Sequence, residues 1–204
     1  MKKITTVLAL ALVLVCGCKK DNGENDGDDK TPHAPAEVVA VDLGLGILWA
    51  DRNIGATSVT DAGYFFSWGE SVPMNYYNEY DYDYVFDKIE TPEKLSIEYD
   101  TAIALWGNGW RMPTREEVKD LFNLSKVIEE ENGRKLGITF SGKGNSIFIP
   151  AVDPDSEHPS LGFWTSERGT SNEGFAYFGN WPYNEKIANN RREFAKHVRP
   201  VKNK

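Results

Sequence analysis

The side chains best suited to recognition chemistry stand in two places. Trp181, Pro182 and Tyr183 are followed by Asn184, with Asn180, Asn189 and Asn190 close in sequence and Arg191 and Arg192 behind them. An exposed Trp–Tyr pair beside amides can stack on a sugar ring or anchor a protein partner, because such rings bury much apolar area while keeping one polar end wet. The same loop could instead fold its aromatics onto the core. The second place is residues 75–84, NYYNEYDYDY, where Tyr76, Tyr77, Tyr80, Tyr82 and Tyr84 are interleaved with Glu79, Asp81 and Asp83. Tyrosine gives rigid contact area at low entropy cost. The acids would keep the insert solvated or meet a basic partner; equally, alternate tyrosines suit one inward face of a strand. Trp181, Tyr183, Asn184, Arg191, Tyr76, Tyr77 and Tyr80 are therefore the candidate ligand-binding residues.

Catalytic chemistry has less to work with. Asp153, Asp155 and Glu157 beside His158 form the most site-like acidic cluster, and a glycosidase needs two carboxyl groups at a fixed separation. A solvated loop around Pro154 and Pro159 explains them as well. Ser160, Ser166 and Ser171 border loops without a Gly-x-Ser-x-Gly elbow, and no phosphate-binding glycine motif occurs. His33, His158 and His197 show no ligand-like spacing. Asn22, Glu24 and Asp26 before Gly27 imitate a calcium loop, but its twelfth position is His33, where a bidentate Glu is required. No catalytic residue, cofactor or metal site is expected.

Compartment is written at the start of the chain. Lys2 and Lys3 precede an apolar run from Ile4 to Val15, then Cys16, Gly17 and Cys18. That is a secretory pattern with a small residue before a cysteine, and the run falls short of the ~20 residues that span a bilayer. Residues 1–17 are expected to be a lipoprotein signal peptide, and Cys18 the lipidated first residue of the mature chain. Acyl chains contribute about 0.8 kcal/mol per buried methylene, enough for a firm anchor without a transmembrane helix. Losing Lys2 and Lys3 would move the net charge from −8 to −10, which opposes binding to nucleic-acid phosphates. Beyond Cys18 no cysteine remains for disulfides or thiolate zinc sites.

These groups must be positioned by a small set of elements. Residues 18–36 read as a disordered acidic tether, and 37–204 as one domain. Strands are expected at Val38–Val41, Ile47–Trp49, Gly63–Trp68, Phe163–Ser166, Phe175–Gly179 and Lys196–Val201. A hairpin is expected with arms Gly137–Ser141 and Ser146–Ile149 about a Gly142–Asn145 turn. Loops fill 151–161, 167–173 and 180–195. One helix should begin at a Ser96 cap and stop before Gly107. Another should follow the capping box Thr114–Glu117, with Val118, Leu121 and Phe122 on one face. Trp49, Trp68, Trp106, Trp110 and Trp164 lie within elements and are expected in the core. Arg111, between Trp110 and Met112, should satisfy a carboxylate, with Glu70 as the expected partner. The pattern is α+β: two helices packed on short, mostly antiparallel strands.

Six ordered segments carry a family resemblance: VDLGLGILWADRNIGA from Val41, GYFFSWGE from Gly63, GNGWRMPTREE from Gly107, GNSIFIPA from Gly144, FWTSE from Phe163 and HVRPV from His197. Together, over almost all of residues 41–201, the chain resembles the Fibrobacter succinogenes major paralogous domain, abundant in surface lipoproteins of gut-type Gram-negative bacteria. The resemblance implies a C-type-lectin-like fold, distantly similar to the formylglycine-generating, sulfatase-modifying family. Arg111, Pro113, Thr114 and Glu117 match a segment that opens the second helix there, whereas the catalytic cysteines of that family have no counterpart here. Function does not follow from fold; taken with the amino-terminal signal and the candidate residues, the expectation is a lipid-anchored lipoprotein of the outer membrane or cell surface, with a non-catalytic domain that binds glycan or protein. Two alternatives stay open: a structural or assembly subunit at the cell surface, and a hydrolase or modifying enzyme using acidic residues.

Overall fold

A computed structural model describes residues 34–76, 80–81, 84, 92–152, 161–170, 175–181 and 186–204. All belong to one compact unit, Thr31–Lys204. Residues 1–33 lie outside the described residues, and with them the signal, Cys18 and most of the expected tether; its last three residues, 34–36, belong to the fold, with Ala34 packed against the core and the Pro35 carbonyl taking the Val38 N–H at 3.0 Å. In chain order the elements are β1 Ala40–Asp42, β2 Ile47–Ala50, α1 Thr101–Trp106, β3 Trp110–Arg111, α2 Arg115–Phe122 and β4 Ser125–Glu131. Then come β5 Arg134–Gly142, β6 Asn145–Pro150, β7 Leu161–Arg168, β8 Phe175–Trp181, β9 Lys186–Arg191 and β10 Val201–Asn203. The described residues thus form an α+β fold of two short helices and three antiparallel sheets, ordered β1-β2-β10-β3, β4-β5-β6 and β7-β8-β9.

The first sheet is closed by its most distant strand. Val201 faces Trp49 on one side and Arg111 on the other. The other two sheets are meanders of neighbouring strands. The β4–β5 hairpin turns at Asn132–Gly133, both at positive φ (52° and 81°), the twist that a two-residue turn needs to match its strands. The β5–β6 hairpin turns the same way at Lys143–Gly144 (50° and 76°), two residues shorter than the expected turn. This second hairpin is fastened to β1: Lys143 pairs with Asp42, and Asn145 donates to the Asp42 carbonyl at 2.9 Å.

The apolar periodicity of α2 holds. Val118, Leu121 and Phe122 are buried, each contributing roughly 1.5–3 kcal/mol. Phe122 stacks on Phe140 at 5.7 Å and meets Phe163 edge-on at 6.4 Å. Around α2 lies one buried cluster with Leu43, Trp49, Ile138, Ile147 and Val201. A second cluster gathers Phe66, Trp68, Tyr84, Trp106, Trp110, Met112 and Trp164. All five tryptophans expected inside are buried.

Several expectations are corrected. Helix α1 is capped by Asp100, not Ser96: its carboxylate accepts from Ala102 and Ile103 N–H at 3.0 and 3.1 Å and from Met112 N–H at 3.0 Å. Ser96 instead closes a turn through its carbonyl, which takes the Tyr99 and Asp100 N–H groups. Residues 63–68 make no regular strand, only single bridges of Phe65 to Met74 and Phe66 to Lys196. Lys196–Val201 pairs regularly only from Val201 onward. Strand β4 was not expected, because three consecutive glutamates carry little strand propensity; the Asn-Gly turn and β5 impose it. Within the expected 180–195 loop, residues 180–181 end β8 and Lys186–Arg191 form β9, while 182–185 lie outside the described residues. Regular structure in β7 likewise extends to Arg168.

Candidate functional site

The geometry first assigns Arg111. Its guanidinium forks onto Glu117, at 2.8 and 2.6 Å, and also donates to Asn203 Oδ1 at 3.0 Å and to the Met112 carbonyl at 3.2 Å. Glu117, not Glu70, is its carboxylate. Glu117 also accepts the Thr114 N–H at 2.8 Å, while Thr114 Oγ1 accepts from Glu117 N–H, so the expected capping box is formed. Burial alone would raise the Glu117 carboxyl; Arg111 and the Thr114 N–H hold it below its usual value. Four groups from β3, α2 and β10 are locked into one bidentate arrangement. Its task is structural.

The tyrosine insert divides by side. Tyr84 is fully buried, donates to the Trp68 carbonyl and lies 5.5 Å under the Arg192 guanidinium. Tyr76 is 67% exposed. Tyr80 sits between these extremes and meets the second candidate segment. It bridges Phe194 through the backbone, and the two rings stand edge to face at 5.7 Å and 82°. Arg191, at the end of β9, lies 5.4 Å over the Tyr80 ring and 5.9 Å over Phe194. Its other contact is Glu193, at 2.5 Å; the Arg191 side chain is 52% exposed and that of Glu193 only 8%. Asp81 N–H donates to the Glu193 carbonyl at 2.8 Å, which pins the insert to this corner.

Two of the seven candidate residues, Tyr80 and Arg191, are thus brought together from segments about a hundred positions apart. Trp181 closes β8 in register with Leu161 rather than standing in a loop. Tyr77, Tyr183 and Asn184 fall outside the described residues, as do Asp153, Asp155, Glu157 and His158. Phe194 and Glu193 were missed by sequence reasoning. Their signal was position: an acid and an aromatic directly after a basic pair, completing the cluster that begins with the amides. Asn189 is exposed on β9 two residues before Arg191, so strand alternation puts both on one face. Chemically the corner offers a ring edge, a half-exposed guanidinium and amides, the means to stack on and hydrogen-bond a polar ring.

Buried ionisable groups cluster elsewhere, on the approach to β10. Lys196 is 1% exposed with Nζ 5.4 Å from the Trp164 ring, and burial pulls its pKa down to about 7. His197 is pulled down to about 4, burial again outweighing its bond to the Tyr64 carbonyl. That carbonyl can only accept, so Nδ1 carries the proton. Arg199, fully buried and lowered to about 9 by desolvation, donates to Asn53 Oδ1, the Ala50 carbonyl and the Phe148 carbonyl at 2.7, 3.1 and 3.0 Å. A lysine titrating near neutrality could act as a nucleophile, but this one is closed off from substrate. Among the described residues no group of three His, Cys, Asp or Glu side chains is placed to hold a metal ion.

Comparison of the chain with family models, curated proteins and solved structures finds no match.

Proposed function

We propose that this chain is a lipid-anchored surface recognition module, non-catalytic, which binds glycan or protein through the corner built by Tyr80, Arg191 and Phe194. One observation carries the reading: the tyrosine insert and the Arg191 segment, independently suited to ligand contact, meet at a partly exposed aromatic–cation cluster. The proposed architecture is C-type-lectin-like. What supports it is the return of β10 beside β2, both helices lying between them in sequence, and Arg111, Pro113, Thr114 and Glu117 opening α2. Membership of the Fibrobacter succinogenes major paralogous domain family and outer-membrane placement through Cys18 belong to the same proposal. They rest on the sequence motifs.

The test is a glycan array and a protein panel probed with the full chain. Hits that fall at least tenfold in affinity in Tyr80→Ala or Arg191→Ala, with thermal unfolding unchanged, support the reading; hits indifferent to both overturn it. Metabolic labelling with a fatty-acid probe tests the anchor, which must vanish in Cys18→Ala.

The assembly alternative is favoured by one observation. Strand β4 is a seven-residue sheet edge with Val127 and Ile128 exposed at 59% and 41%, a surface that could accept another strand. Its bulge at Glu129/Glu130 and its three glutamates oppose that, since bulges and charges are how sheet edges avoid pairing.

A further inference from the structure

Two methionines of the fold are placed very differently. Met112 is fully buried in the second core cluster. Met74 is half-buried within residues 71–76, whose other members are all exposed. Its backbone is held in place, the N–H donating to the Phe65 carbonyl at 2.8 Å. Its side chain reaches the buried Ser67, with Sδ 3.1 Å from Oγ.

That hydroxyl has a second acceptor, the Glu193 carbonyl, also at 3.1 Å. A serine has one proton to give, and a thioether accepts it only weakly, so the carbonyl holds it. Glu193 is central to the Tyr80 corner. Its carbonyl also takes the Asp81 N–H at 2.8 Å, and its carboxylate holds Arg191 at 2.5 Å. Three contacts therefore lead from the Met74 sulfur to the guanidinium that lies over the Tyr80 ring.

Hydrogen peroxide would reverse the order of the two acceptors. A sulfur lone pair attacks one peroxide oxygen and the O–O bond breaks. One oxygen stays on sulfur, and the other takes up the remaining proton and leaves as water. Sulfur gives up two electrons and peroxide is reduced by two. The product is a polar sulfoxide, whose oxygen is a far better acceptor than the thioether. A gap of 3.1 Å between Sδ and Oγ leaves no room for an oxygen that does not bond the hydroxyl.

We infer that Met74 is a redox-sensitive modification site: its sulfoxide draws the Ser67 proton from the Glu193 carbonyl and weakens ligand binding at the Tyr80 corner. The inference rests on the recognition reading and supplies a regulation for it.

The experiment treats the full chain in detergent with hydrogen peroxide and maps the added oxygen by peptide mass spectrometry. Met74 should be oxidised at least about tenfold faster than Met112, since access governs the reaction; equal rates, or Met112 first, overturn the site. The relay is read by labelling Glu carbonyls with carbon-13 and Phe amides with nitrogen-15. The pair Glu-Phe occurs once, at Glu193–Phe194, so one carbonyl resonance reports. Oxidation should move it toward its position in unoxidised Ser67→Ala, where the donor is gone. In Met74→Leu, which keeps about the same volume, peroxide should leave it unmoved. A resonance unmoved in wild type, or moved equally in Met74→Leu, overturns the relay, and this comparison alone decides if Ser67→Ala does not fold. Array hits should weaken at least about threefold on oxidation of wild type, the worth of one hydrogen bond, and not in Met74→Leu; hits indifferent to oxidation overturn the regulation. A silent array sinks the recognition reading, whereas the mass map and the carbonyl resonance still decide the Met74 site.

Discussion

Replacing Lys196 by Met should flatten the pH dependence of stability between about pH 7 and pH 10, because the lysine is buried against an indole ring. The ammonium is 1% exposed, and burial lowers its pKa from 10.5 to about 7. At about 1.36 kcal/mol per pKa unit, holding this lysine in the fold costs roughly 5 kcal/mol at pH 7. The Trp164 ring, 5.4 Å from Nζ, returns ~1–2 kcal/mol of attraction that Met forgoes. The sign of the pH dependence follows from the lowered pKa. Above about pH 10.5 both states hold a neutral amine. Between there and about pH 7 only the unfolded chain takes up the proton, so wild-type stability falls by up to ~1.4 kcal/mol per unit as pH drops, then levels off. The Met variant lacks this slope. Urea unfolding of both proteins at several pH values between about 7 and 10 reads the difference directly. Parallel stability curves would refute the idea that the ammonium is desolvated at a cost.

Other outcomes follow from the same reasoning. His197, neutral in the fold with its pKa lowered to about 4, should destabilise the protein as pH falls from about 6.5 to about 4, by roughly 3 kcal/mol, because the unfolded ring protonates first. His197→Phe, which keeps the packing on Phe65 at 4.4 Å, should remove that acid step in thermal melts across the range. Arg111→Gln should cost about 2–3 kcal/mol by leaving half-buried Glu117 without its counter-ion, and Arg111→Lys should recover only part, since one ammonium cannot make two parallel bonds. An unchanged melting temperature in Arg111→Gln would contradict the structural role given to the pair.

What was legible in the sequence was whatever local chemistry determines. The Thr114–Glu117 capping box, the face of α2 and the 137–149 hairpin depend on neighbours within a few residues, and each is present. The five buried tryptophans followed from their placement inside elements. Tertiary choices were harder to see. Arg111 had several acids to choose from, and the chain's return through β10 put it over Glu117, six residues away, rather than Glu70. Asp100 displaced Ser96 as a cap because the Met112 N–H, twelve residues on, also needed an acceptor. Strand β9 hid in a polar run, KIANNR, whose pairing with β8 gives it regularity. Of the candidate site, the residue types were legible and their meeting was not. Nothing local to Tyr80 announces that Phe194 will face it.

The place of β10 has a consequence for the order of events in making this protein. The two meanders are built from strands that follow one another, so each can pair as soon as its own stretch of chain exists. β1 and β2 belong to the earliest part of the fold, yet their sheet lacks its central member until Val201–Asn203 arrives, some 150 residues later. Contacts of such long range are slow to form. A ribosome making this chain would hold the first hairpin without its neighbour while both meanders emerge and can pair, so this sheet is the last of the three to close.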